Sequence, residues 1–224
     1  MSNLTYAYAD KGDGKGFLYT NEIPVPQLVG CDRKVKTRII TLGDSVTQGC
    51  QTSEFGYQFW AAQLLDQLGT EDYSLWNLGI GYARASDCAQ QGNWLNRAVA
   101  GADLITVAFG TNDIISGPYG GTGHATPEEI EADVRKITRT CTDAGIRTIL
   151  WNSPPFDMTP ELDGIRTAYN ETVEGIAKDN GATYFDVASL LADPSDASKT
   201  VYGQHPNDEG GTVITDALVK LIQE

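Results

Sequence analysis

Histidine is scarce in this chain, with two in 224 residues. Proton transfer near neutral pH therefore has only His124 and His205 to draw on as imidazoles. The four cysteines, Cys31, Cys50, Cys88 and Cys141, form no CxxC pair and no zinc-finger spacing, which disfavours a structural zinc site or dithiol redox chemistry. Free thiols are the default, and a Cys50–Cys88 disulfide stays open because the two residues follow blocks that converge in the expected fold. Basic side chains are also few, 16 against 30 acidic ones, for a formal charge of -14. Nucleic-acid binding needs a basic face that displaces counterions from phosphates, so no nucleic-acid partner is expected. The densest basic stretch (Arg33, Lys34, Lys36, Arg38) leads into an apolar run and reads as a solvated strand entry. No apolar run approaches the ~20 residues of a membrane span. The first residues lack a basic segment followed by an apolar one. As written the chain is expected in the cytoplasm without membrane insertion, or secreted if a signal peptide has been removed. HExxH, P-loop and kinase signatures are missing, and Gly12, Gly14 and Gly16 follow no strand and open no helix, so they are not a dinucleotide fingerprint.

What the chain does have is 41% apolar residues spread along its length, enough to bury a core, at a length that fits one α/β domain. Strand and helix signals alternate from Arg38 onward. Arg38 to Leu42 is short, β-branched and stopped by Gly43, as a buried parallel strand should be. Tyr57, Trp60, Ala61, Leu64, Leu65 and Leu68 recur at three- and four-residue steps and predict a helix ending at Gly69. Further strands are expected at Tyr73 to Leu78, Leu104 to Phe109, Arg147 to Trp151 and Thr183 to Val187. Helices are expected around Asn93 to Ala100, after the Thr126-Pro127-Glu128-Glu129 capping box, from Pro160 to Asp179 and from Asn207 to Ile222. The pattern predicts a three-layer α/β/α sandwich around a five-stranded, mostly parallel sheet, flavodoxin-like in outline. Residues 36–224 form this domain, and residues 1–35 add a hairpin or extended arm.

Small polar residues cluster where the predicted strands end: Gly43-Asp44-Ser45, Gly79, Gly110-Thr111-Asn112-Asp113 and Ser153-Pro154-Pro155. In an open parallel sheet that edge is where ligands bind. His205 precedes the last helix on the same edge. A serine, a histidine and hydrogen-bond donors in one cleft point to acyl transfer by a seryl hydroxyl that an imidazole deprotonates. The tetrahedral oxyanion needs donors fixed in advance, for which the backbone N–H groups of Ser45 and Gly79 and the carboxamide of Asn112 are candidates. Taken singly, each residue has a plainer role: Ser45 as a helix cap, Gly79 and Asn112 as turn residues, His124 as an exposed loop histidine, Asp44 and Asp113 as structural acids. Trp94, Tyr119 and Phe156 are candidates for a substrate pocket, whereas Tyr57 reads as core.

Taken together the blocks resemble the SGNH hydrolases, also called the GDSL esterase/lipase family. The resemblance covers most of the chain from about Arg38: Gly43-Asp44-Ser45, Asn77-Leu78-Gly79, Gly110-Thr111-Asn112-Asp113 and His205-Pro206-Asn207, in family order. It implies Ser45 as nucleophile, His205 as base, an oxyanion hole of Ser45, Gly79 and Asn112, and no metal or organic cofactor. One departure stands out. The family's histidine block usually reads Asp-x-x-His, but here Tyr202 holds the aspartate's place. A backbone carbonyl, a loop acid (Asp193 or Asp196) or nothing at all then orients His205. The expected activity is hydrolysis of small acyl esters, with O-acetyl groups on carbohydrates ahead of aryl or short-chain lipid esters or acyl transfer. A non-catalytic binding module with a degenerate site is the alternative of a different class. The expected partner is a small-molecule or carbohydrate ester, and the oligomeric state is open.

Overall fold

The computed structural model describes residues 37–50, 59–90, 92–115, 124–191 and 205–224, together with the short strands at 8–10, 16–18, 27–29 and 201–202. Tyr57, Tyr119, Asp193, Asp196 and Cys31 lie outside the described residues. Five parallel strands carry the fold: β4 (Thr37–Gly43), β5 (Tyr73–Gly79), β6 (Leu104–Ala108), β7 (Arg147–Trp151) and β8 (Thr183–Phe185), in the spatial order β5-β4-β6-β7-β8. This is the flavodoxin-like order, in which the chain leaves the first strand to one side and returns on the other. Upstream, β1 (Tyr8–Asp10) and β2 (Gly16–Leu18) pair antiparallel. The strand β3 (Gln27–Val29) runs antiparallel along the free edge of β5, making a sixth strand.

Period-two alternation explains why the sheet is covered on both faces. Ile40 and Leu42 face one layer with Ile105, Val107 and Leu150, whereas Ile39 faces the other with Leu104 and Ile149. The first layer holds α3 (Ala85–Gln90), α4 (Gly92–Gly101), α6 (Pro127–Asp143) and α7 (Pro160–Asp179). The second holds α2 (Trp60–Leu68), α8 (Val187–Leu191) and α9 (Asp208–Gln223). Each buried Leu, Ile or Val contributes roughly 1.5–3 kcal/mol relative to exposure, and both layers are rich in them. Helix α6 starts on the expected capping box: Thr126 Oγ1 accepts the Glu129 N–H while Glu129 Oε2 accepts the Thr126 N–H.

Two readings that the sequence left open are decided. Trp94 is only 2% exposed and packs edge-on against Phe109, with ring centroids 5.6 Å apart, because the apolar stripe of α4 turns it into the core rather than toward a pocket. Cys50 and Cys88 are not joined by a disulfide. Both are buried thiols, and the Cys50 Sγ lies 3.6 Å from Gln48 Oε1, to which it donates.

Candidate active site

Register places the strand ends level with one another. Gly43 at the end of β4 lies opposite Gly79 of β5 and Ala108 of β6, so the loops that leave these strands meet over the point where strand order reverses. Ser45 opens the short helix α1 (Ser45–Gln48) directly after β4. Asp44 caps that helix, its Oδ1 accepting the Val46 N–H at 2.9 Å, and Trp60 of α2 pins it from beyond, Nε1 donating to Val46 O at 3.0 Å. Burial pushes the Asp44 carboxyl up to about 7, and the charge of Asp113 adds to the rise.

Gly79 is where β5 touches the nucleophile helix. A Cβ at this position would overlap the Gln48 nitrogen and the Thr47 carbonyl carbon, so only glycine permits the approach. Asn77 ties the same junction three ways: Nδ2 donates to Thr47 O at 2.7 Å, and Oδ1 accepts from Thr41 Oγ1 at 3.1 Å and from the Gly79 N–H at 2.8 Å. The Gly79 N–H, expected to face an oxyanion, is therefore engaged with a side chain two residues before it.

Beyond Gly79 the chain makes a tight turn. Ile80 N–H donates to Gly43 O at 3.0 Å and Ala83 N–H to Ile80 O at 3.1 Å. Tyr82, at the third position of this turn, has φ of 67°, a backbone state that turns of this kind usually give to glycine. Asn112 reaches the turn from α5 (Thr111–Ile115), its Nδ2 donating to Ala83 O at 3.0 Å. A carboxamide has two N–H donors, so one remains. Asp113 holds the next peptide, both carboxylate oxygens accepting the Ala85 N–H at 3.0 and 3.1 Å. Burial raises the Asp113 carboxyl to about 6.

His205 arrives from the far end of the chain. It lies on β10 (His205–Pro206), paired antiparallel with β9 (Val201–Tyr202) so that His205 faces Tyr202 in register. Helix α9 starts just after it, its N-cap Asn207 accepting the Gly210 N–H. His205 Nε2 lies 2.8 Å from Ser45 Oγ, bridging 160 residues of sequence. Its Nδ1 is buried and has no hydrogen-bond partner among the described residues. Burial lowers the imidazole from its ordinary value to about 4. His124 is exposed and bonds through Nδ1 to Ile114 O at 2.8 Å. Ser153 is held by Asn170 and faces Thr111 Oγ1 at 3.3 Å, bracing the β6 and β7 loops.

Ser45, Asn112 and His205 are thus brought to one sheet edge, and Gly79 packs against α1. Sequence reasoning missed the anchoring role of Asn77 and the turn at Tyr82. An asparagine inside a strand, where its type is depleted, was the available signal for the first. A tyrosine carries no signal for positive φ. No group of three His, Cys, Asp or Glu among the described residues is placed to hold a metal ion, and no described helix is long and apolar enough to cross a membrane.

Comparison with known proteins bears on the same architecture. An acetyl xylan esterase, AlAXEase, superposes with a TM-score of 0.69 at 20% identity, covering 83% of this chain and 99% of its own. Axe2, an acetylxylan esterase from Geobacillus stearothermophilus, gives 0.70 at 17% identity over 87% and 95%. The psychrotrophic esterase EstA from Pseudoalteromonas sp., solved in a state inhibited by monoethylphosphonate, gives 0.65 at 16% over 84% and 97%. At these identities the likeness shows a shared fold. A segment of 72 residues is 35% identical to acireductone dioxygenase of Hahella chejuensis, taking in 32% of this chain and 39% of that protein; the chain thus spans well under half the length of that curated relative. The model of the GDSL-like lipase/acylhydrolase family matches residues 41–213, a stretch that takes in Ser45, Gly79, Asn112 and His205, and the chain belongs to that family.

Proposed function

We propose that the protein is a serine ester hydrolase working through a Ser45 acyl-enzyme, with O-acetyl groups on carbohydrates as its substrate class. The 2.8 Å contact of His205 Nε2 with Ser45 Oγ carries this reading. The neutral imidazole accepts the hydroxyl proton as Oγ attacks the acyl carbon, then returns it to the leaving alcohol. Water attacks the acyl-enzyme in the second half with the same base. The low affinity of His205 for a proton keeps it neutral, hence competent, at and well below neutral pH.

The developing oxyanion takes the Ser45 N–H and the second N–H of the Asn112 carboxamide as donors. Asn112 is held in place by its bond to Ala83 O, so the donor needs no reorganisation during reaction. Gly79 serves by close packing, since its N–H is spent on Asn77. A second main-chain donor is the Tyr82 N–H, in the turn whose Ala83 carbonyl Asn112 holds. With Tyr202 in the aspartate's place, the reading is of a Ser–His pair whose imidazole is oriented by Ser45 and by burial, with Asp193 and Asp196 as the acids that would complete a triad.

The acetyl-carbohydrate preference is supported by the names of two similar structures, both acetylxylan esterases. Initial rates on acetylated xylo-oligosaccharides and on p-nitrophenyl esters of increasing chain length test it. The reading expects the acetylated sugars to have the highest kcat/KM and p-nitrophenyl acetate to exceed butyrate and longer esters. Preference for long acyl chains would replace it with a lipid-ester reading.

A further inference from the structure

Tyr82 is the only non-glycine residue with positive φ among the described residues, at 67°. A residue with a Cβ is disfavoured there, and glycine would occupy the position freely. The turn is nevertheless locked from both sides: Ile80 N–H to Gly43 O, Ala83 N–H to Ile80 O, and Asn112 Nδ2 to Ala83 O. Its neighbours Gly81 and Ala83 are buried. The ring is not, since Tyr82 is 43% exposed, the most exposed large apolar residue among those described. Packing thus gives no reason for an aromatic side chain at a position that backbone geometry resists. Strained backbone held in place by its surroundings concentrates at functional sites, and this strain lies one peptide from the Asn112 clamp.

We infer that the Tyr82 ring is the stacking platform for the sugar ring of the ester, so that a pyranose bearing the acyl group lies against it with its carbonyl toward Asn112. The inference rests on the proposed carbohydrate-ester function and adds the residue that selects the alcohol part. An exposed aromatic side chain on a backbone already fixed by hydrogen bonds leaves only its own rotamers to be ordered when a ring covers it, and the apolar C–H face of a pyranose is its complement. Tyrosine also carries a hydroxyl for the rim of the cleft.

The direct test is binding without turnover. Titration of Ser45→Ala with an acetylated methyl xyloside, followed by NMR chemical shifts, gives the dissociation constant; Tyr82→Gly and Tyr82→Phe are then added on that background. The inference expects Tyr82→Gly to weaken binding about tenfold, equivalent to about 1.4 kcal/mol, and Tyr82→Phe to weaken it less than threefold. It also expects the denaturation midpoint of Tyr82→Gly to be no lower than that of its parent, because glycine relieves the turn. Equal affinity in the glycine variant, or absence of xyloside binding to Ser45→Ala, overturns it. Turnover of the same xyloside by the unsubstituted protein reads the ester-hydrolase assignment separately: binding that depends on Tyr82 without turnover would leave the platform standing and remove the hydrolase.

Discussion

His205 Nε2 lies 2.8 Å from Ser45 Oγ, while the other nitrogen of the same ring is buried with no partner among the described residues. The pair is built like the working end of a triad whose far end meets no acid among the described residues. Burial favours the neutral ring and lowers His205 to about 4. An imidazole beside a carboxylate would titrate higher than an ordinary histidine. The acid limb of kcat/KM therefore reports which arrangement holds. A profile flat from pH 8 to about pH 5 and falling near pH 4 is expected; a limb near pH 7 would show that an acid faces Nδ1.

Asn112 has one N–H on Ala83 O and one for the oxyanion. Removing a single oxyanion donor typically costs about 3 to 4 kcal/mol of transition-state stabilisation. Asn112→Ala is expected to lower kcat about 100- to 1000-fold with little change in KM, measured on p-nitrophenyl acetate. It also leaves Ala83 O unpaired, so a loss of about 1 to 3 kcal/mol in urea unfolding should accompany it.

Asp44 supplies a stability prediction with a defined sign. Its carboxyl titrates near 3.8 when unfolded and near 7 when buried, so the folded state holds the proton more tightly. The resulting stabilisation is complete below pH 3.8 and is lost as pH rises through about 7. Asp44→Asn keeps an oxygen to cap Val46 and removes the titration. Its unfolding midpoint in urea should vary less between pH 5 and pH 8 than that of the unsubstituted protein, and should exceed it at pH 8.

Gly79 sets a packing limit. Gly79→Ala pushes a methyl group into the backbone of α1 at Thr47 and Gln48, and backbone yields at a cost of roughly 1–3 kcal/mol or more. Lower urea stability together with lower kcat is expected, because the helix that would move carries Ser45.

Much of this architecture was legible in the sequence because its signals are local and redundant. The capping box at Thr126 and Glu129 set the start of α6, the period of apolar residues set α2, and a β-branched run ending in Gly43 set β4. A parallel sheet then forces the ends of those strands onto one edge, which is why Ser45 and His205 could be brought together from 160 residues apart. The short helices α3 and α5 span too few turns for a periodic pattern to emerge. Whether Trp94 lines a pocket or the core stayed open because an indole in a short helix gives no sign of which face is covered. The three bonds of Asn77 and the positive φ of Tyr82 belong to tertiary packing between β5, α1 and α5, and no local pattern encodes them.

Covalent labelling of the nucleophile tests the central claim most directly. A fluorophosphonate probe followed by intact-mass measurement is expected to add one phosphonyl group to the protein, none to Ser45→Ala, and to add it at least 100-fold more slowly to His205→Ala. Folded, unsubstituted protein that takes up no label, or Ser45→Ala that takes it up as fast, would contradict the assignment of Ser45 as an activated nucleophile.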